Sequence, residues 1–183
     1  MDKGTGFQMA DVRGKPATRR RAVATGELLA GDAFDDIAAR RLPKGDALLM
    51  AQVAGLQGAK SASQLMPLCH PLPLDFVDLH WRLLPERQAV RIYCEVATTA
   101  RTGVEMEALA GVSAALLTLY DLTKPVQPAL AISGIRLLFK EGGKKGLWLH
   151  PDGMDGDERA RYQPQTPQPA GGAHGHMEVP GAG

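Results

Sequence analysis

Apolar and polar residues alternate at Val77, Leu79, Trp81 and Leu83 against Asp78, His80 and Arg82. This is the period-two pattern of a half-buried strand. After a turn at residues 85–88 the alternation resumes, with Val90, Ile92, Cys94 and Val96 on one face and Arg91, Tyr93 and Glu95 on the other. The two runs predict an antiparallel hairpin with one face on the core. Further strands are expected at residues 21–28 and 131–139. Between the first strand and the hairpin the spacing turns helical. Residues 32–41 place Phe34, Ile37 and Ala38 behind Asp32 as N-cap. Asp46 then caps a longer helix expected to run through Met66 on Leu48, Leu49, Val53 and Leu56. Gly55 and Gly58 weaken that helix, which calls for close packing against another element.

Pro67, Pro71 and Pro73 make residues 67–73 a stiff, non-helical connector. Thr102, Gly103, Val104 and Glu105 have the spacing of a capping box. The helix they open should reach about Lys124, because Pro125 cannot continue it. Residues 108–120 are apolar on nearly every face, so burial on several sides is expected, by the sheet and by a neighbouring subunit. The element order is β-α-α-β-β-α-β. This is an α+β chain with a ferredoxin-like split βαβ arrangement, an antiparallel sheet covered by helices.

Composition narrows the function. The 183 residues are 44% hydrophobic and carry a net charge of +1, which suits one globular domain and argues against a dedicated nucleic-acid binder. Residues 151–183 hold 7 Gly and 5 Pro and a net charge of −3, leaving +4 on residues 1–150. The domain is therefore placed at 1–150 and the tail is expected to be disordered. His174 and His176 in the tail are too isolated to make a metal site. The longest charge-free apolar run, 13 residues, is too short to span a bilayer. Two cysteines and no apolar leader point to a reducing cytoplasm.

The chemistry-bearing candidates are few. Asp121 and Lys124 lie at i and i+3 near the end of the apolar helix, where a helix-terminal ion pair is the commoner role. Cys69 and His70 sit in the proline-braced connector, which presents a side chain at little entropic cost. With no fourth ligand beside Cys69, His70 and Cys94, metal is not expected. Glu105 and Glu107 in the first helical turn favour the dipole without needing a function. Lys44 and Lys140 stand beside glycines that let a phosphate approach the backbone. No P-loop, nucleophile elbow or dinucleotide fingerprint is present.

Taken in order, several strings resemble one family: Met9 to Val12, Lys44 to Asp46, Ala54 and Gly55 with Ala59 and Lys60, Pro67 to Leu72, Thr102 to Leu109, Tyr120 to Lys124, and Lys140 to Lys144. The family is cyclic pyranopterin monophosphate synthase, the molybdenum cofactor biosynthesis protein C, and the likeness runs from about Met9 to Gly146. It implies a ferredoxin-like subunit in a homo-hexamer, a trimer of dimers, with active sites between subunits. It implies conversion of 3′,8-cyclo-7,8-dihydro-GTP to cyclic pyranopterin monophosphate with loss of pyrophosphate, and no metal or other cofactor. By motif position Asp121 becomes the catalytic acid/base and Lys124 its partner, with Lys44, His70 and Lys140 in the same pocket. Leu68, Cys69, His70, Met106 and Glu107 would contact substrate, and Glu105, Arg20 and Asp11 are secondary candidates. The rival readings are a non-catalytic nucleotide sensor and an assembly protein. The first predicts ligand binding without pyrophosphate release, the second no common pocket.

Overall fold

The computed structural model describes residues 6–165. Strands β1 (Thr18–Leu29), β2 (Phe76–Leu84), β3 (Ala89–Ala100), β4 (Ala131–Glu141) and β5 (Trp148–Leu149) form one sheet in the order β2-β3-β1-β4-β5. All pairings are antiparallel. Helices α1 (Phe34–Ala38), α2 (Ala47–Lys60) and α3 (Ala62–Leu65) fill the first crossover. Helix α4 (Glu105–Thr123) fills the second, and α5 (Gly156–Tyr162) follows the last strand. The first four strands with α2 and α4 are the predicted split βαβ arrangement, and the hairpin falls where the alternation placed it.

Strand alternation gives the sheet two different faces. On one, Ala22, Ala24, Leu28, Ile92, Cys94 and Val96 pack under Leu48, Ala51, Val112, Leu116 and Leu119 of α2 and α4. The small residues there let both helices sit close. A Cβ added at Gly58 would lie 2.5 Å from the Ala114 Cβ, and one at Gly111 would lie 2.5 Å from the Cys94 sulfur. The two glycines that weaken α2 as an isolated helix are thus where it crosses α4.

Several local expectations are corrected. Residues 32–41 form a 3₁₀ turn and a helix of only 5 residues, and Asp32 makes no side-chain cap. Asp46 does cap α2, accepting from the Leu49 N–H at 3.0 Å. That helix stops at Lys60, however, and Ser61 separates it from α3. The capping box at Thr102 does not form, because the N-cap residue is Val104 and Glu105 is the first residue of α4. Its carboxylate turns instead to a lysine on β4.

The expectation of disorder from residue 151 onward is overturned for residues 151–165; the rest of that tail, with His174 and His176, lies outside the described residues. Asp155 and Glu158 form a capping box at α5. Met154 and Tyr162 are buried against Val23, Tyr93 and Phe139 on the outer sheet face. Arginines latch the segment down: Arg82 to Asp155 at 2.7 Å, Arg91 to Glu158 at 3.2 Å, and Arg161 back to Asp78 at 3.0 Å. Tail-wide Gly and Pro content concealed a short amphipathic piece, since most of those residues come after it.

Under this strap His80 stacks on Tyr93 with ring centroids 4.6 Å apart, and the Tyr162 hydroxyl lies 3.1 Å from its Nδ1. Burial, helped by the Arg161 charge, pushes the imidazole down to about 4. The unfolded chain binds that proton near pH 6.5, so this contribution is complete above 6.5 and is lost as pH falls toward 4. Thermal melts between pH 7 and 4 should therefore show a shallower acid-side loss for His80→Gln than for wild type; equal slopes would contradict the assignment. In chemical denaturation Gly58→Ala should cost about 1–3 kcal/mol by overpacking, although alanine is the better helix former by about 1 kcal/mol. A more stable variant would mean that the helices part freely.

Candidate active site

Helix α4 carries a cluster of functional groups at each end. At its N-terminal end the proline-braced connector crosses the first turn. Leu68, Cys69 and His70 line a cavity of about 810 Å³ together with Glu105 and Met106. Lys140 of β4 pairs with Ala22 in register, so its side chain rises on the helix-covered face. There its Nζ donates to Glu105 Oε1 at 2.5 Å. Glu107 is only 3% exposed, and the Cys69 thiol donates to its Oε1 over 3.9 Å. Burial pushes the Glu107 carboxyl up against the pull of a backbone hydrogen bond, and the neighbouring Glu105 charge adds to the rise. Burial and Glu107 likewise raise the Cys69 thiol. Arg20, two residues before Ala22 on the same strand face, donates from Nε to the Ala100 carbonyl at 3.3 Å.

At the other end Pro125 stops the helix directly after Lys124, which keeps right-handed helical geometry as C-cap. The lysine therefore still reaches back one turn, and its Nζ lies 2.7 Å from Asp121 Oδ1. Lys44, from the loop before α2, stands 3.6 Å from Asp121 Oδ2. Asp121 is thus a carboxylate between two ammonium groups, all three about half exposed. The hydrogen bond and charge of Lys124, with Lys44 behind, hold Asp121 below the usual carboxylate range. The same partner raises Lys124 above an ordinary lysine.

Within one chain these two sets do not meet. Glu105 and Asp121 are 16 residues apart on one helix, a span of about 24 Å at 1.5 Å per residue. The chain gathers His70, Cys69, Leu68, Met106, Glu105, Glu107 and Lys140 at one end, and Lys44, Asp121 and Lys124 at the other. Asp11 joins neither by direct contact. It is exposed and tied to Arg13 at 2.9 Å, although its neighbour Ala10 borders the cavity.

Sequence reasoning missed the Glu105–Lys140 pair, which joins residues 35 positions apart and leaves no local trace. It also assigned Thr102 and Gly103 to a cap, whereas they border the cavity. A second cavity, about 920 Å³, opens at the end of β1 among Arg19, Arg20 and Arg21 and is walled by Gln165. Of the predicted site residues it includes Arg20 alone. Among the described residues no group of three or more His, Cys, Asp or Glu side chains is gathered as a metal site. Cys94 is a packing residue, fully buried, its thiol pushed up to about 12 by burial.

Known proteins resemble this chain in sequence. Residues 9–143 match the MoaC family. The chain is 44% identical over 149 residues to the cyclic pyranopterin monophosphate synthase of Pelotomaculum thermopropionicum, covering 81% of this chain and 88% of that protein. It is 45% identical over 152 residues to the synthase of the same name from Heliobacterium modesticaldum, covering 82% and 96%. With the molybdenum cofactor biosynthesis bifunctional protein of Synechococcus elongatus it shares 51% identity over 144 residues. The aligned part is 78% of this chain but only 45% of that longer protein. The matched stretch takes in both ends of α4, the connector and the lysine of β4, and the chain belongs to the MoaC family.

Proposed function

We propose that this chain is a lyase of molybdenum cofactor biosynthesis. It converts 3′,8-cyclo-7,8-dihydro-GTP to cyclic pyranopterin monophosphate and releases pyrophosphate. The observation that carries the reading is that one helix bears a proton-transfer and charge-neutralising set at each end, Glu105–Lys140 beside His70 and Lys44–Asp121–Lys124. The relatives that carry the synthase name match over nearly their whole length.

The reaction needs protons moved while a ring opens. It also needs a new phosphorus–oxygen bond to form as the bond to pyrophosphate breaks. In the free site Lys124 holds its proton tightly and Asp121 stands ionised. In this reading Asp121 is the acid/base of the pair and Lys124 the charged partner that orients it, and the ligand's charge must loosen the pair before a proton moves. Lys44, Lys140 and Arg20 supply positive charge where the triphosphate sits and where negative charge grows as pyrophosphate departs. His70 and Cys69 stand on a stiff connector against the other side of the ligand, with Leu68 and Met106 as apolar walls.

Because the two sets lie at opposite ends of α4, the working site joins the connector end of one chain to the Asp121 end of another. The apolar side chains of Leu49, Met50, Val53 and Leu117 are half or more exposed on α2 and α4, which supports covering by further copies. The assembly we propose is a homo-hexamer, a trimer of dimers, in the cytoplasm, with a nucleotide-derived small molecule as its ligand.

Pyrophosphate release from the cyclic dihydro-GTP substrate, followed together with fluorescence of the oxidised pterin, tests this directly. Wild type should yield both products. Asp121→Asn and Lys124→Ala should each lose at least about 100-fold in rate, the low end for removing a proton-transfer group. Full activity in both variants would remove the C-terminal set from the chemistry. Light scattering should give a mass near six chains; a stable, active monomer would contradict the shared site.

A further inference from the structure

Strand β4 carries an extra residue opposite β1. Thr25 pairs with Arg136 and Glu27 with Ser133, so two steps along β1 are matched by three along β4. Gly134 absorbs the difference in the left-handed region, with φ of 63°, a bulge conformation that glycine adopts without steric strain. In a regular strand Ser133 and Arg136 would point to opposite faces. The bulge turns both to the strap side. Ile135 stays on the helix side, where a Cβ added at Gly26 would lie 2.9 Å from its Cγ1.

A cavity of about 160 Å³ opens at this bulge, bordered by Glu27, Arg87, Arg91, Ser133, Gly134 and Arg136. Its one carboxylate is already engaged. Glu27 accepts from Arg91 Nε at 2.7 Å and stands 3.0 Å from the Arg87 guanidinium. Arg91 also reaches Asp155 and Glu158 of the strap. Arg136 is left over. Its Nε is buried with no hydrogen-bond acceptor, and no carboxylate pairs with it among the described residues. A buried guanidinium nitrogen without an acceptor is costly, and an ion that supplies one relieves that cost. The cavity exceeds the roughly 30 Å³ share of a single water and is far smaller than the cavities of about 810 and 920 Å³. It suits an ion of a few heavy atoms and excludes a nucleotide.

We propose that this cavity binds a small tetrahedral oxyanion of the phosphate or sulfate kind, with Arg136 as its principal charged donor and Arg87 and Ser133 beside it. A guanidinium fork matches the oxygen spacing of such an ion. The site lies on the opposite face of the sheet from Lys140, so it stands apart from the proposed substrate cavity and does not rest on that reading. The bound ion gives Arg136 its acceptor and ties the β4 bulge to Arg87, in the turn that leads into β3. Because the unfolded chain does not gather these groups, the ion stabilises the fold, and more so as its concentration rises.

Crystals of the full chain soaked in tungstate, a tetrahedral oxyanion with strong anomalous scattering, should show a peak within hydrogen-bond reach of the Arg136 guanidinium. Thermal melts in rising inorganic phosphate, with ionic strength held constant by chloride, should show saturable stabilisation. Arg136→Gln should lose the peak and weaken phosphate by at least about tenfold, the loss expected for a charged hydrogen-bonding partner. Arg136→Lys keeps the charge without the fork and should bind between the two. Lys140→Ala, on the other face, should keep both the peak and the shift. If Arg136→Gln does not fold, Arg136→Lys and the soaked wild type decide by the same readouts. A shift that Lys140→Ala abolishes and the Arg136 variants leave intact would belong to the substrate cavity and overturn the proposal. So would an empty cavity, a side chain of a neighbouring copy seated against Arg136, or a peak without any shift in solution, which would mean an adventitious ion only.

Discussion

The close approach of α2 and α4 over the sheet is the constraint on which the rest depends. It is made by residues without side-chain bulk. Gly58 meets Ala110 and Ala114, Gly55 meets Leu79 and the Gly111 carbonyl, and Gly111 sits over Cys94. Such contacts cost intrinsic helix stability at each glycine. They return it as dense packing between two helices and a sheet. Because α4 is pinned along its middle, its two ends are fixed relative to the strands. One end meets Lys140 on β4 and the connector, and the other meets the Lys44 loop before α2.

Charge is arranged differently on the two faces of the sheet. On the strap side buried acids are matched by arginines, Glu27 and Glu158 both meeting Arg91, and the result is structural cement for α5. Beneath the strap His80 is kept neutral by burial. On the helix side the pairs are lysine-based and more exposed than those of Arg91, Lys140 with Glu105 and Lys44 and Lys124 with Asp121. Solvent-accessible lysine–carboxylate pairs hold little stability, which leaves them free to exchange partners with a ligand. At the same cavity end the buried acid Glu107 makes no ion pair among the described residues.

Much of the fold was legible because it rests on period. The hairpin and the long apolar helix announce themselves by spacing, and Asp46 and Pro125 bound their helices as their chemistry requires. What failed was local motif reading against long-range competition. Thr102 to Glu105 has the spacing of a capping box, but a lysine 35 residues away binds the glutamate more strongly than a backbone N–H can. The 151–165 segment was hidden by averaging its composition with the glycines and prolines beyond it. Spacing and local context singled out Asp121, Lys124, Cys69, His70, Glu105, Glu107, Lys44 and Lys140, but their roles came only from resemblance to a family, since the alternation that locates Lys140 on a strand is silent on what it faces. Nor does any pattern within one chain reveal that the groups fall into two sets about 24 Å apart along one helix.

That separation gives the account its central claim, that a complete site draws on two chains. Co-assembly of two inactive variants, His70→Ala and Asp121→Asn, measures it most directly. After dissociation and joint reassembly in equal amounts, sites that take His70 from one variant and Asp121 from the other are wholly native. Roughly a quarter of wild-type pyrophosphate release should return, as random pairing across a repeated interface dictates. A mixture that reassembles and stays as inactive as its parts would mean that both groups serve from the same chain, and the shared site would be wrong.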